Sequence, residues 1–159
     1  MGAEAVLRIA FAGLVTLTPA ASVSAQQTTT VDYSTMRVLP GSWGYRAVAL
    51  GSEARFADTA GIAQLTIGCT RATRQVAIAR ASGTAGQGLM VWTSNAARTL
   101  PARFDSRGMR LIADVPANDP LLDSLAFSRG RIAVTIVGGS VIVAPAWPEA
   151  ARVIEDCRI

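Results

Sequence analysis

The sequence contains neither histidine nor lysine. Histidine is the commonest general base and the commonest zinc ligand, so its absence excludes Ser-His-Asp and Cys-His nucleophile pairs. The absence of lysine excludes a P-loop and a Ser-x-x-Lys pair. Only 2 cysteines are present, which is too few for an all-cysteine zinc site.

Charged residues are also scarce. They make up 16% of the 159 residues against 50% hydrophobic residues, a composition that argues against a disordered chain and for one folded domain. The formal net charge is +4, and every basic residue is an arginine. Because acidic residues are interleaved with the arginines, we expect solvated strand faces and no nucleic-acid-binding surface.

The first 25 residues have the pattern of a secretory signal peptide. An almost wholly apolar stretch, Ile9–Ala21, is followed by the small residues of Ser22–Ala25, which predicts cleavage between Ala25 and Gln26. The alternative is a retained membrane anchor, but the apolar stretch is about 13 residues long, well short of the roughly 20 that span a bilayer. The sequence therefore predicts a periplasmic or secreted protein.

The two cysteines, Cys69 and Cys157, are 88 residues apart. An even number of cysteines in an exported chain favours a disulfide, and redox-active pairs are usually close in sequence, as in Cys-x-x-Cys. We therefore expect a structural disulfide that ties the C-terminus to an inner strand. A redox pair or two free thiols is the alternative.

The remaining chain divides into a flexible lead-in over residues 26–40 and one β-rich domain over residues 41–159. Alternating apolar residues predict a strand from Trp43, a hairpin of Ala63–Cys69 with Gln75–Arg80, and a strand at Leu89–Thr93. A second hairpin is expected from Ala97–Asp105 and Met109–Val115, with Gly108 supplying a positive φ in the turn. Pro101 lies inside the first of these strands, which indicates a sheet edge or a bulge.

Two helices and a third hairpin complete the predicted domain. Asp119 or Asn118 can cap a helix that begins at Pro120 and stops near Gly130, and Pro148 opens a C-terminal helix to about Asp156. Between them, Gly138-Gly139 predicts a two-residue hairpin loop in which Ile136 faces Val141 and Val134 faces Val143. The fold class is mainly β: a small antiparallel β-sandwich or flattened barrel of seven or eight strands, with two short helices and one disulfide.

No constellation of residues indicates catalysis or a bound cofactor. Asp119 and Asp123 are four residues apart on the first predicted helix, but capping explains them better than a pair of catalytic acids. No nucleophile motif, phosphate-binding loop or calcium loop is present. We therefore expect a non-enzymatic protein without metal or cofactor, and a hydrolase that uses carboxylates is the least favoured alternative.

The residues best suited to contact a partner are Trp147, Arg129 and Arg131. Trp147 lies in a connection rather than in a strand, and tryptophan and arginine are common anchors of protein interfaces. The leading hypothesis is a periplasmic module that binds an envelope component or another protein. The alternative is a secreted inhibitor of a lytic enzyme or protease, which would insert the loop Ala81–Gly88 or the lead-in.

Five short segments are spaced in a recurring layout: Gly41–Tyr45, Leu65–Cys69, Val91–Ser94, Phe127–Arg131 and Arg152–Arg158. In this spacing the chain resembles two groups of small secreted proteins of Gram-negative bacteria, the invasion-associated locus B family and the accessory protein TagO of type VI secretion. The resemblance implies a periplasmic, disulfide-bonded β-rich module without an assigned catalytic site. Cys69 and Cys157 are the only residues that it transfers, as a candidate bridge.

Overall fold

A computed structural model of the chain describes residues 31–159, which form two antiparallel sheets and two helices. The predicted signal peptide and its cleavage point between Ala25 and Gln26 lie outside the described residues. The strands are β1 (Gly41–Val48), β2 (Gly51–Asp58), β3 (Ala63–Thr70), β4 (Gln75–Ala81), β5 (Gly88–Trp92), β6 (Ala97–Pro101), β7 (Arg103–Asp105), β8 (Arg110–Pro116), β9 (Arg131–Ile136) and β10 (Val141–Pro145). The helices are α1 (Pro120–Ala126) and α2 (Pro148–Asp156).

The larger sheet has the strand order β1-β2-β3-β4-β8-β7. Its first four strands follow one another through short turns, and the predicted hairpin of β3 and β4 pairs Ile67 with Ile78. Alternate residues of these strands point to one face, where Phe56, Ile67 and Ile78 are completely buried. That face is half of the hydrophobic core.

The smaller sheet, of order β10-β9-β5-β6, supplies the other half of the core. Val91 of β5 pairs with Val134 of β9, and both belong to the same buried cluster as Ile67 and Ile78 of the larger sheet. Two antiparallel sheets that share one apolar layer form a β-sandwich. The fold class predicted from the sequence is therefore confirmed.

The segment predicted as one strand from Ala97 to Asp105 is instead two strands in different sheets. β6 pairs with β5 of the smaller sheet, whereas β7 pairs with β8 of the larger sheet, so the chain changes sheets at Ala102. Pro101 ends β6 on the sheet edge, in agreement with the prediction that this residue marks an edge. The sequence pattern of a strand, alternation over two residues, is the same before and after Ala102. The pattern therefore could not reveal that the chain changes sheets there.

The turn between β7 and β8 also differs from its prediction. Met109 has the positive φ, 48°, that the sequence assigned to Gly108. The Asp105 carboxylate accepts the backbone N–H groups of Arg107 and Gly108, and these two bonds define the turn. The strained position therefore falls one residue later than expected, on a side chain that is 51% exposed.

The hairpin of β9 and β10 is present, but its register is shifted by one residue from the prediction. Val141 pairs with Thr135, and Val143 pairs with Ala133. The Ile136 amide donates to the Ser140 carbonyl, so the loop has three residues instead of two. Because successive side chains alternate between faces, this shift moves Val141 and Val143 from the core face to the outer face of the smaller sheet.

Residues 31–40 lie against that outer face. Tyr33 is buried, with its ring edge-on to Trp92 at a centroid distance of 5.9 Å, and its hydroxyl is 3.2 Å from Thr135 Oγ1. Tyr33, Trp92, Ala133 and Val143 form a second, smaller buried cluster. The N-terminal segment therefore covers the outer face of this hairpin.

The start of α1 follows the predicted capping chemistry. The Asp119 carboxylate accepts the Leu121 N–H at 2.8 Å at the start of α1, which ends at Ala126, somewhat before the predicted stop. α2 packs on the inner side of β1, β2 and β3. It buries Val153 and Ile154 and positions Cys157, which is disulfide-bonded to Cys69 of β3 with the Cα atoms 5.5 Å apart.

Candidate functional site

Trp147 connects β10 to α2 and is 43% exposed. It is the N-cap residue of α2 and directly precedes Pro148, the first residue of the helix. Its backbone is extended. The preceding Ala146 donates its N–H to the Gly130 carbonyl at 3.2 Å. That bond holds the Trp147 connection beside the segment that contains Arg129.

Arg129 is exposed and, within residues 31–159, belongs to no ion pair. Its backbone N–H donates to Ser94 Oγ at 3.0 Å, while the Ser94 N–H donates to Ser128 Oγ at 2.9 Å. The Ser128 hydroxyl in turn donates to the carbonyl of Arg131. These bonds hold the loop in place, so Arg129 is presented from an ordered backbone.

Unlike Trp147 and Arg129, Arg131 uses its side chain for a contact within the fold. It is half-buried in the first position of β9, and its guanidinium donates to the carbonyl of Met36. This bond ties residues 31–40 to the smaller sheet. Arg131 therefore supports the fold beside the nominated surface, and its donors are partly occupied.

Phe127, two residues before Arg129, was not nominated from the sequence. It is the C-cap residue of α1 and is 73% exposed, more than any other aromatic side chain in the described residues. The sequence does contain a signal for this exposed residue, because Phe127 is a large apolar residue directly after the buried stripe of a predicted helix. We call Phe127, Arg129 and Trp147 the Trp147 surface.

A groove of about 490 Å³ begins at Pro148, next to Trp147, and lies between α2 and Tyr45 of β1. It is lined by Tyr45, Pro148, Glu149, Ala151, Arg152 and Glu155. The Arg152 guanidinium lies 4.0 Å from the centre of the Tyr45 ring, and the Tyr45 hydroxyl donates to Asp156 at 2.7 Å. That hydrogen bond is the main reason that the pKa of Asp156 is lowered, with the charges of Arg71 and Arg152 adding to it.

The acids considered for catalysis have structural partners. The Asp119 carboxylate caps α1 and also accepts a hydrogen bond from Arg98 at 2.8 Å, which lowers its pKa. Asp123 forms an ion pair with Arg158 at 2.8 Å. Their contacts are those of a capped and cross-linked helix, and the pKa of Asp119 is lowered, whereas a general acid requires a raised one.

Across residues 31–159, no three side chains of histidine, cysteine, aspartate or glutamate are grouped so that they could hold a metal ion. The same range contains no helix with the length and apolarity needed to cross a bilayer. The chain matches no family model, and no similar sequence or fold was found among the curated proteins or the solved structures.

Proposed function

We propose that this chain is a non-enzymatic periplasmic module that binds an envelope component or another protein through the Trp147 surface. The observation that carries the proposal is that two exposed aromatic side chains, Phe127 and Trp147, lie on segments joined to the ordered loop of Arg129. Exposed aromatics and arginine are the residues that dominate interface energies. An ordered loop loses little conformational entropy when it binds, which favours affinity.

The cellular address is part of the proposal. The Cys69–Cys157 disulfide is the kind of bond that persists in oxidising compartments, and residues 1–25 have the pattern of a cleaved signal peptide. The resemblance to the invasion-associated locus B family and to TagO points to the same compartment. Intact-mass measurement of the exported protein, with an expected N-terminus at Gln26, tests this address.

The test of the binding role compares two double variants as bait in periplasmic extract. Phe127→Ser with Trp147→Ser removes both exposed aromatic side chains, and Met109→Ser with Val137→Ser removes two exposed apolar side chains on the turns between β7 and β8 and between β9 and β10. We expect the first bait to lose a partner that the wild type and the second bait retain. The captured protein is then purified, and its affinity for each bait is measured by calorimetry.

A loss of about tenfold or more in affinity for the Phe127 and Trp147 variant alone supports the proposal. Equal affinity for all three baits would exclude the Trp147 surface as the contact. Hydrolysis of an ester, peptide or glycan by the purified protein, abolished by a single substitution, would replace the binding role with an enzymatic one.

Inhibition of a lytic enzyme or protease is the second candidate, because the loop between β4 and β5 is anchored beneath an exposed tip. Gly86 sits so close to Leu111 and Ile136 that a Cβ there would lie 2.9 Å from the leucine side chain, while Gly83–Ala85 are exposed. Anchored loops suit inhibitors. Replacing the tip should remove inhibition with little change in melting temperature; unchanged inhibition rejects this candidate.

A further inference from the structure

The sandwich has four edge strands within the described residues, and three of them are short or capped. β7 has 3 residues, and β6 ends in Pro101. On β10, the Val143 carbonyl accepts the Leu39 N–H, and the carbonyl of Pro145 accepts the Trp43 indole N–H. Short strands, prolines and covering segments are the usual protections of a sheet edge. β1 has none of them along its 8 residues.

The free backbone groups of β1 follow from its pairing with β2. Val48 pairs with Gly51 across a two-residue loop, so this closing pair is hydrogen-bonded, and hydrogen-bonded pairs then recur at every second residue. The intervening residues Trp43, Tyr45 and Ala47 direct their N–H and C=O groups away from β2. In the part of the chain that the structure describes, no other strand pairs with this row.

Two depressions flank the free row of β1, one on each face of the sheet. On the inner side lies the groove between Tyr45 of β1 and helix α2, which lines it with Pro148, Ala151 and the charged residues Glu149, Arg152 and Glu155. On the outer side a depression of about 340 Å³ extends over Gly44 toward Arg46 and Arg55. A strand added to β1 would direct alternate side chains into these two spaces.

The outer depression carries an excess of positive charge. The carboxylate of Glu53 lies 2.8 Å from Arg46 and 3.5 Å from Arg55, so one acid is shared by two half-exposed arginines. Gly44 pairs with Arg55 across β1 and β2, and a Cβ built at Gly44 would meet nothing within 4 Å. An acidic side chain opposite Gly44 would therefore have room and two cationic neighbours.

We infer that β1 accepts an extended segment of a partner protein as a seventh strand of the larger sheet. The segment carries an acidic residue opposite Gly44 and small apolar residues on either side of it, which enter the groove beside α2. The inference deepens the proposed binding role and rests on it. It names a second contact, next to the Trp147 surface, and the kind of segment that occupies it.

A second copy of this chain fits the edge less well. Antiparallel pairing of β1 with itself around Gly44 would bring Arg46 and Arg55 of both copies to the same outer face, with only one Glu53 from each copy. Like charges that are close together across a sheet are destabilising. An acidic partner segment removes this repulsion, so we commit to a partner protein.

The test uses the exported protein and a blocked synthetic peptide, Thr-Thr-Val-Glu-Val-Thr-Thr, followed by amide chemical shifts. Ala47→Pro removes an N–H that points away from β2, a change that edge strands tolerate, and Ala47→Ser keeps that N–H as the matched control. We expect shift changes at Trp43, Tyr45 and Ala47 on peptide addition. Ala47→Pro should weaken binding about tenfold or more, and Ala47→Ser less than about twofold.

Replacing the central glutamate of the peptide by lysine should weaken binding by a similar factor. The inference would be overturned by the absence of shift changes at millimolar peptide, by equal binding of the proline and serine variants, or by self-association of the exported protein that Ala47→Pro abolishes. The proposed binding role through the Trp147 surface is tested independently, because Ala47→Pro leaves that surface unchanged. Loss of the captured partner only in the Phe127 and Trp147 variant would uphold that surface and reject strand addition as its second contact.

Discussion

Arg80 is the most unusual buried side chain in the described residues. It lies on the core face of β4 between Leu65 and Leu111, is 4% exposed, and has no acidic partner there. One guanidinium nitrogen donates to Ser140 Oγ at 3.1 Å, while Nε has no hydrogen-bond partner. Burial lowers the pKa of Arg80, which means that the charged form is disfavoured in this position.

Replacing Arg80 with methionine should therefore stabilise the protein. Methionine fills a similar volume without a buried charge or an unsatisfied donor, and we expect the free energy of unfolding to rise by about 1–3 kcal/mol. Chemical denaturation measures the change. Arg107→Met, at an exposed turn position, is the control and should stay within about 0.5 kcal/mol of the wild type. Destabilisation by Arg80→Met would show that the buried charge has a favourable partner.

Tyr45→Phe tests the hydrogen bond to Asp156 and its pH dependence. A lowered pKa in the folded state contributes stability above the unfolded pKa of about 3.9, and this contribution is lost as the pH falls through the folded pKa. Without the tyrosine hydroxyl, the pKa of Asp156 should rise, and Tyr45→Phe should be less stable than the wild type at neutral pH. The difference should shrink as the pH is lowered to 3.

The measurements are the Asp156 titration, followed by its side-chain NMR signal, and denaturation at several pH values. Ring packing against Arg152 is kept in the phenylalanine variant, so the change isolates the hydroxyl. A difference in stability that is the same at neutral and acidic pH would contradict the assignment of the lowered pKa to Tyr45.

At the scale of the element, helix α1 depends on one residue for its start. Asp119 accepts the Leu121 N–H and binds Arg98, and these two roles can be separated. Asp119→Ala should cost about 1–2 kcal/mol, because an N–H group of the first turn loses its partner. Asp119→Ser keeps the cap and loses only the half-exposed ion pair, so it should cost no more than about 1 kcal/mol. Similar thermal shifts for the two variants would mean that capping is not the main role.

The bounds of an element were predicted well where a proline or a capping side chain marks its end. Pro148 and the apolar stripe up to Cys157 placed α2 at its observed bounds, and Asp119 with Pro120 placed the start of α1. The predicted register of β9 and β10 differs from the observed one by one residue. The reason is that the length of the loop depends on whether Val137 pairs with the opposite strand or belongs to the loop. That choice puts Val141 and Val143 under Tyr33, a residue about one hundred positions earlier, so it is made by a distant contact.

At the scale of the whole molecule, the disulfide joins the C-terminus to the third strand. It closes a loop of 88 residues, and its two sulfurs lie in the core cluster. In the chain-entropy description, a bond that closes such a loop stabilises the folded state by roughly 4–5 kcal/mol, an upper value. For a domain of this size, that is a large part of a total stability of about 5–15 kcal/mol.

Cys69→Ser with Cys157→Ser should lower the melting temperature by roughly 10–20 °C. The physical reason is that the unbridged chain regains conformational freedom in the unfolded state. Calorimetric scans with and without reductant give the measurement, and the double serine variant, which has no bond to reduce, is the control. A wild-type melting temperature that does not respond to complete reduction would contradict this role of the bond.

The candidate site was predicted in part, at the level of residue type. Trp147 and Arg129 were nominated because tryptophan in a connection and arginine before a strand are typical of contacts, and the structure brings their segments together through the bond between Ala146 and Gly130. Arg131 was nominated on the same grounds, yet its guanidinium holds Met36. Phe127 was missed, because exposure after a helix end depends on what packs there.

The sequence by itself determined the strands β1, β3 and β4, the first residue of each helix, the cysteines available for a bond and the β-rich class. All of these depend on local chemistry: alternation over two residues, the missing N–H of proline and the side-chain oxygen of a cap. Only the tertiary structure decided the change of sheet at Ala102, the hairpin register and which edge strand stays open. Each of these depends on contacts between segments far apart in the chain, for which local periodicity carries no signal.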